Sequence, residues 1–246
     1  MSSLTRSLHV LEAVAEHQPV GVGALSRLLG QPKSTVQRTL VTLAEAGWVR
    51  GGGETTRWTL GARAMTIGRR TTSEVRLREA ALEPMRRLNE ATREAVHFTV
   101  PDGDRGMVVI DRLDSDQPVR TFISIGATTS LTASSTGRAV LAHRTDDEIA
   151  PLVARGLERC TARTVTDPDA WWRELQLTRT RGYAVNLGEN RDNVCAVAAA
   201  VLDPGEAAVA GICISVPDVR FTSARIPDWG EQVRGAARVI MANLRR

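Results

Sequence analysis

The part of the sequence that most constrains the fold is residues 23–61, which helix-breaking residues divide into short segments. Gly30 ends a short helical segment, and Pro32 suits the start of the next helix because its missing N–H costs nothing there. Gly47 then ends this second helix. Two short helices joined by a tight turn are typical of a helix-turn-helix, which places its second helix in a DNA major groove.

The residues that follow the second helix predict a β-hairpin. Residues 48–50 and 56–60 are strand-like and flank the run Gly51-Gly-Gly-Glu-Thr. Three consecutive glycines allow the tip to lie close to a phosphate backbone. A hairpin directly after a helix-turn-helix predicts a winged helix-turn-helix domain.

The second helix has an apolar inward face and a polar outward face. Val36, Leu40 and Leu43 recur at the spacing of one buried face. Arg38 can pair with a guanine edge and Gln37 with an adenine edge, while the helix N-terminus favours a phosphate. The candidate DNA-binding residues are Lys33, Ser34, Thr35, Gln37 and Arg38 on this helix and Arg50 and Arg57 on the hairpin.

The net charge of +4 is confined to the N-terminal third of the chain. Residues 1–75 contain nine Lys and Arg against five acids, whereas residues 76–246 contain 23 of each sign. An excess of cations in the segment with the helix-turn-helix pattern is what neutralisation of DNA phosphates requires. The charge distribution therefore favours double-stranded operator DNA as a partner.

The composition argues against several other classes of protein. An apolar content of 42% with 24% charged residues predicts a folded globular chain. We expect a cytoplasmic protein without a membrane partner, because no apolar run approaches 18 residues and no signal-peptide pattern is present. The three cysteines and four histidines show no disulfide or metal-ligand spacing, so we expect no metal, cofactor or catalytic residue.

The remaining pattern mixes helices and strands and predicts an α+β fold. A helix is also predicted at residues 4–16, before the helix-turn-helix. Its apolar face comprises Leu4, Leu8, Leu11, Val14 and Ala15. Further helices are predicted at 61–70, 73–92, 135–155, 168–181 and 223–245, and strands at 96–100, 107–110, 119–125, 183–185, 194–202 and 207–216.

The chain resembles the IclR family of bacterial transcriptional regulators over nearly its whole length. The N-terminal part carries Arg6-Ser-Leu, Pro32-Lys-Ser-Thr and Trp58-Thr-Leu-Gly, and the C-terminal part carries Leu131-Thr-Ala-Ser-Ser-Thr-Gly-Arg and Gly182-Tyr. The resemblance implies a GAF-like effector domain with an antiparallel sheet, a homodimer or homotetramer, and one small organic effector per subunit, such as a carboxylate or aromatic acid. We expect a winged helix-turn-helix domain at 1–62, a linker helix at 63–75 and the effector domain at 76–246.

The resemblance also implies an effector pocket. Ser, Thr and Asn side chains would offer neutral hydrogen-bond donors, and a helix that begins near residue 135 would add N–H groups for a carboxylate. The alternative for this Ser/Thr cluster is an N-cap that only starts the helix. The candidate effector-binding residues are Leu131, Ser134, Ser135, Thr136, Gly137, Asn186, Ala196, Cys213 and Ser215.

Four positions depart from the family pattern. Thr132 stands where the family has His, Arg138 where it has Lys, Asn193 where it has Gly, and Ala200 where it has Pro. We expect the fold to accommodate these changes. The identity of the effector does not transfer, because the pocket has its own chemistry.

Two other functions are compatible with parts of the sequence. A cysteine-based enzyme or redox-sensing module would use Cys195 or Cys213 as nucleophile and His97 or His143 as base. A scaffold would use the winged domain to contact protein. The interpretation that the whole pattern favours is a non-enzymatic transcriptional regulator, more often a repressor, whose operator affinity an effector modulates.

Overall fold

A computed structural model describes residues 3–51, 57–68 and 72–245 of the chain. The chain divides into two units, Met1–Thr72 and Ser73–Arg246, and each contains its own hydrophobic core. The division falls inside the expected linker at 63–75, at the first residue of the helix that begins at Thr72. None of the helices in the described ranges combines the length and apolar content needed to cross a membrane.

The first unit packs helices against a small antiparallel sheet of strand order β1-β3-β2. Its core contains Val14, Leu25, Val36, Leu40 and Trp58. The predicted helix-turn-helix and the strands of the predicted hairpin are confirmed as α2, α3, β2 and β3. The elements are α1 (Ser3–His17), β1 (Val20–Gly21), α2 (Val22–Leu29), α3 (Lys33–Glu45), β2 (Val49–Gly51), β3 (Arg57–Leu60) and α4 (Ala62–Gly68).

Strand β1 was absent from the sequence prediction. Val20 pairs with Trp58, and Gly21 pairs with Arg57, so β1 extends the hairpin on its β3 side. A strand of two residues is too short to show the alternation of buried and exposed side chains that identifies strands in a sequence.

The end of the hairpin next to its loop depends on a close contact at Gly51. A Cβ atom built on Gly51 would lie 2.4 Å from the Trp58 indole ring, so only glycine allows this approach. The rest of the predicted glycine-rich tip, residues 52–55, lies outside the described residues.

The predicted apolar face of α1 is partly wrong. Leu4 is 70% exposed and Leu8 is 46% exposed, whereas Val10, Ala13 and Val14 are buried. Within the unit, only the C-terminal half of α1 contributes to the core, so the periodicity of the first two turns does not correspond to burial there.

The second unit contains a six-stranded sheet of order β6-β5-β4-β9-β8-β7. All neighbouring strands are antiparallel, as predicted for the effector domain. The elements are α5 (Thr72–Thr92), β4 (Ala95–Pro101), β5 (Met107–Leu113), β6 (Thr128–Thr129), α6 (Ser135–Leu141), α7 (Asp146–Ala154), α8 (Pro168–Arg181), β7 (Ala184–Leu187), β8 (Val194–Leu202), β9 (Ala208–Pro217) and α9 (Ile226–Leu244).

One face of this sheet carries large apolar side chains. Phe98, Ile212 and Ile214 belong to a cluster that also includes Met85 of α5 and Trp229 of α9. Because side chains alternate between faces along a strand, the neighbouring positions point to the other side. Helices α5 and α9 therefore cover this face and leave the opposite face for α6.

The opposite face of the sheet carries small side chains. Ala184, Ala198, Ala200 and Cys213 lie on adjacent strands and pack with Ala139 of α6. Small residues at these positions leave space above the sheet where α6 does not fill it. This face forms the floor of the cavity described below.

Two predicted elements are corrected by the structure. Residues 119–125 form no strand, although their pattern is strand-like; their carbonyl oxygens accept hydrogen bonds from arginine side chains instead of a neighbouring strand. Residues 135–155 form two helices, because Thr145 starts a new helix with a capping box to Glu148.

We predict that Gly137→Ala destabilises the second unit. A Cβ atom at this position of α6 would lie 2.1 Å from the Leu131 carbonyl oxygen, so the backbone has to move. We expect the free energy of unfolding, measured by urea denaturation, to fall by about 1–3 kcal/mol.

The matched control is Gly235→Ala in α9, where an added Cβ meets no atom within 4 Å. This variant removes a flexible residue from a helix and is expected to gain about 0.5–1 kcal/mol. Equal effects of the two substitutions would contradict the steric explanation for Gly137.

Candidate functional site

The outward face of α3 is exposed as the sequence predicts. Lys33, Ser34, Gln37 and Arg38 are exposed, and Thr35 is half-buried. The helix begins without a side-chain cap, so its first-turn N–H groups are not satisfied by a neighbouring side chain. This arrangement presents two cations, an amide, hydroxyls and the positive helix terminus on one surface.

The two candidate arginines of the hairpin lie on one face of its sheet. Arg50 pairs with Thr59 across the strands, and Arg57 is two residues from Thr59 on the same strand. Arg50 Nε donates to Thr59 Oγ1 at 3.1 Å, and Arg57 Nη1 donates to the Pro19 carbonyl at 3.1 Å. Both side chains are exposed, and these bonds hold them close to the sheet.

The second unit contains a cavity above the small-residue face of its sheet. Its volume is about 70 Å³, several times the roughly 10–15 Å³ that a single water needs. Most of the candidate effector residues line this cavity. They are Ser134, Ser135, Thr136, Asn186, Ala196, Cys213 and Ser215.

Two candidate effector residues do not line the cavity. Leu131 is buried in a separate apolar cluster with Leu141 and Trp171. Gly137 packs against the backbone of Leu131, where no side chain fits. Both residues support the start of α6, which explains why they occur in the same motif as the residues that line the cavity.

Two of the polar residues that line the cavity have structural roles as well. Ser134 Oγ accepts the N–H of Gly137 at 3.0 Å and so caps α6, the alternative considered from the sequence. Asn186 donates to the Ala133 carbonyl, and its Oδ1 accepts the N–H groups of Gly188 and Glu189 at 3.1 and 3.2 Å. Asn186 therefore has only one N–H left for another partner.

A buried ion pair holds the loop at the edge of the cavity. Arg138 Nη1 lies 2.9 Å from Glu189 Oε2, and Nη2 donates to Glu189 Oε1 at 2.9 Å and to the Val185 carbonyl at 2.6 Å. The Arg138 side chain is 1% exposed and that of Glu189 is 10% exposed. The pair ties α6 to β7 and to the loop that supplies Asn190 and Arg191 to the cavity.

The sequence named His97 only as the base of the cysteine-based alternative and did not predict that it lines the cavity, which it does from β4. His97 is 7% exposed, and its Nε2 atom has no hydrogen-bond partner among the described residues. The pKa of His97 is lowered to about 4, mainly by burial; the nearby charges of Arg112 and Arg191 contribute to the lowering, and Asp114 opposes it. The imidazole is therefore neutral near pH 7.

Sequence reasoning also missed the segment that forms one wall of the cavity. Residues 119–125, called the cover segment below, supply Thr121, Phe122 and Ile123 to the lining. Arg112 Nη1 donates to the Ile123 carbonyl at 2.7 Å, and its guanidinium carbon lies 3.8 Å from the centre of the Phe122 ring. Arg191 Nη1 donates to the Phe122 carbonyl at 2.6 Å. Such pairings between distant residues leave no local signal in the sequence.

The structure places His97 opposite Cys213 on neighbouring strands, a proximity that the sequence did not predict. Burial raises the pKa of the Cys213 thiol to about 12, and burial also raises the pKa of Cys195. A thiol of this kind is not a nucleophile near neutral pH, because the reactive form is the thiolate. The raised pKa values of both thiols therefore argue against the cysteine-based alternative, although His97 and Cys213 are neighbours.

The described residues contain no group of three or more His, Cys, Asp or Glu side chains placed to hold a metal ion. The polar lining of the cavity instead consists of hydroxyls, amides, a thiol, an imidazole and one guanidinium. This set of groups suits an organic molecule that forms hydrogen bonds.

Family models match both units of the chain. A model described as the IclR helix-turn-helix domain matches residues 3–52, and one described as the bacterial transcriptional regulator IclR C-terminal domain matches residues 69–242.

Relatives with the same architecture match the chain over almost its full length. The HTH-type transcriptional regulator KdgR of Escherichia coli is 31% identical, with 99% of this chain and 93% of that protein covered. The transcriptional repressor IclR of Escherichia coli is 32% identical, with 98% and 89% covered. The structure also resembles that of an IclR homologue from Microbacterium hydrocarbonoxydans complexed with 4-hydroxybenzoate, with a TM-score of 0.82, 25% identity and 99% of each chain covered.

We predict that Glu189→Gln strongly destabilises the second unit. The substitution leaves the buried Arg138 charge without its counter-ion, which typically costs about 3–5 kcal/mol. Urea denaturation monitored by circular dichroism measures this loss.

The matched control is Glu83→Gln, which breaks the exposed pair between Glu83 and Arg87 on α5. Exposed pairs contribute little, so we expect a much smaller change in unfolding free energy. Similar small changes in both variants would show that the Arg138–Glu189 pair does not hold the loop in place.

Proposed function

This chain belongs to the IclR family of bacterial transcriptional regulators, and we propose that it is a repressor controlled by a small organic acid. It is a DNA-binding regulator of transcription, and its relatives are regulators and not enzymes. We assign DNA binding to residues 1–62, linkage to 63–75, and effector binding and assembly into a homodimer or homotetramer to 76–246. The site of action is the cytoplasm, where the operator DNA lies.

The exposed face of α3 carries this proposal for DNA binding. Gln37 and Arg38 project from the middle of the helix, where they can reach base edges. Lys33 and Ser34 lie at its uncapped N-terminus and would contact phosphate. Arg50 and Arg57 on the hairpin would contact the backbone of the same duplex.

The lining of the cavity supports an organic acid as effector. It contains the guanidinium of Arg191 and, among the described residues, no Asp or Glu side chain that would repel a carboxylate. Hydroxyls of Ser135, Thr136 and Ser215 offer neutral donors beside it. A related regulator has been crystallised with an aromatic acid, 4-hydroxybenzoate, which fits this class of ligand.

The proposed mechanism is a coupling between the two sites. An effector that binds one conformation of the protein more tightly shifts the population toward it, and operator affinity changes by the same coupling free energy. Because a dimer binds two half-sites, a change in the relation between its two recognition helices is sufficient to alter operator affinity.

We predict that Arg38→Ala weakens sequence-specific DNA binding but leaves effector binding intact. Loss of a bidentate contact to guanine costs about 1–3 kcal/mol per site, or roughly 5- to 150-fold in affinity. Band-shift titration on a duplex selected by the wild-type chain from a random library measures this loss.

The matched control is Arg87→Ala on the exposed surface of α5. It removes the same charge from the second unit, whereas α3 belongs to the first. It should bind the selected duplex as the wild type does, and wild-type binding should weaken steeply with added salt. Normal binding by Arg38→Ala would refute the assignment of α3 as the recognition helix.

A further inference from the structure

The cavity contains one buried polar atom that the protein itself leaves unsatisfied. His97 Nε2 has no hydrogen-bond partner among the described residues, although the side chain is more than nine-tenths buried and lines the cavity. A buried donor or acceptor without a partner is unfavourable, because the hydrogen bond it makes to water in the unfolded chain is lost. Such a cost is removed when a bound molecule places a polar atom against it.

The type of group that fits His97 follows from its protonation state. Since the imidazole is neutral, Nε2 either donates or accepts a hydrogen bond depending on the tautomer. A hydroxyl group matches both tautomers because it can donate and accept, whereas a carboxylate can only accept. A hydroxyl group is therefore the partner that suits this position with either tautomer of His97.

The lining also contains a cation. Arg191 is exposed, and it lines both the cavity and a wider outer depression of about 370 Å³ that also includes Thr129 and Asn190. Arg191 thus lies where the buried cavity opens to solvent. Arg191 and His97 line the same small cavity, so a single small molecule bound there can be close to both residues.

We propose that the cavity selects a small hydroxy acid, whose carboxylate pairs with Arg191 at the mouth and whose hydroxyl hydrogen-bonds to His97 in the interior. The inference rests on the proposed function, because it names the class of the effector and the residue that determines specificity. Beside His97 the lining contains Thr99 and Cys213, which are small and uncharged, and His97 Nε2 is the buried lining atom there that has no partner among the described residues.

The test compares matched ligands by isothermal titration calorimetry on the full chain. The aromatic set is 4-hydroxybenzoate, benzoate and 4-hydroxybenzyl alcohol, and the aliphatic set is 4-hydroxybutyrate, butyrate and 1,4-butanediol. The hydroxy acid of at least one set should bind the wild type about tenfold more tightly than the partner that lacks the hydroxyl and the partner that lacks the carboxylate.

Two variants separate the two ends of the ligand. His97→Leu should abolish the preference for the hydroxy acid over the plain acid, and Arg191→Gln should abolish the preference over the uncharged alcohol. Arg87→Gln on α5 removes a charge outside the cavity and should retain both preferences.

A stability measurement distinguishes recognition from a structural role of His97. Because an unsatisfied polar atom is replaced by an apolar group, ligand-free His97→Leu should have an unchanged or higher melting temperature. A role in folding predicts a lower one. His97→Asn, which keeps a hydrogen-bonding group, should retain part of the hydroxyl preference.

The proposal is overturned if no acid of either set binds, if the hydroxyl brings no gain in affinity, or if His97→Leu keeps the wild-type preference. These failures leave DNA binding untouched. If the wild-type chain binds no specific DNA duplex, the proposed function itself is refuted. The two failures are therefore distinguishable.

Discussion

The buried pair of Arg138 and Glu189 is the interaction on which the ligand cavity depends. It joins α6, β7 and the polar loop in a region where both side chains are almost completely buried. A buried charge requires its counter-ion, so movement of the loop away from this position would leave the buried Arg138 guanidinium unpaired. Asn190 and Arg191 follow directly in the chain, and the pair thereby fixes two of the residues that face the cavity.

The cavity itself results from the asymmetry of the sheet. Large side chains on one face pack with α5 and α9, and this packing supplies most of the core. Alanines and Cys213 on the other face fill too little volume to close the space beside α6. The same strands therefore stabilise the unit on one side and leave room for a ligand on the other.

Elements that depend on neighbouring residues in the chain were predicted well from the sequence, and elements that depend on residues elsewhere in the chain were not. The hairpin of 194–202 and 207–216 was predicted nearly to the residue, because alternation and the turn Asp203-Pro-Gly are local signals. The cover segment was wrongly predicted as a strand, since its carbonyls pair with Arg112 and Arg191, which are distant in the sequence. Leu131 was predicted to line the pocket because its motif is contiguous, yet it precedes α6 and its side chain packs in a separate apolar cluster with Leu141 and Trp171.

The sequence alone determined the α+β class, the helix-turn-helix with its hairpin and the confinement of net positive charge to the N-terminal third. These properties depend on periodicity, helix-breaking residues and composition, which are local. Only the tertiary structure decided which polar residues share one cavity, that Asn186 is already engaged by the backbone, and that the Nε2 atom of His97 is buried there without a hydrogen-bond partner among the described residues. Burial and hydrogen-bond satisfaction depend on segments that are far apart in the chain, so no local pattern records them.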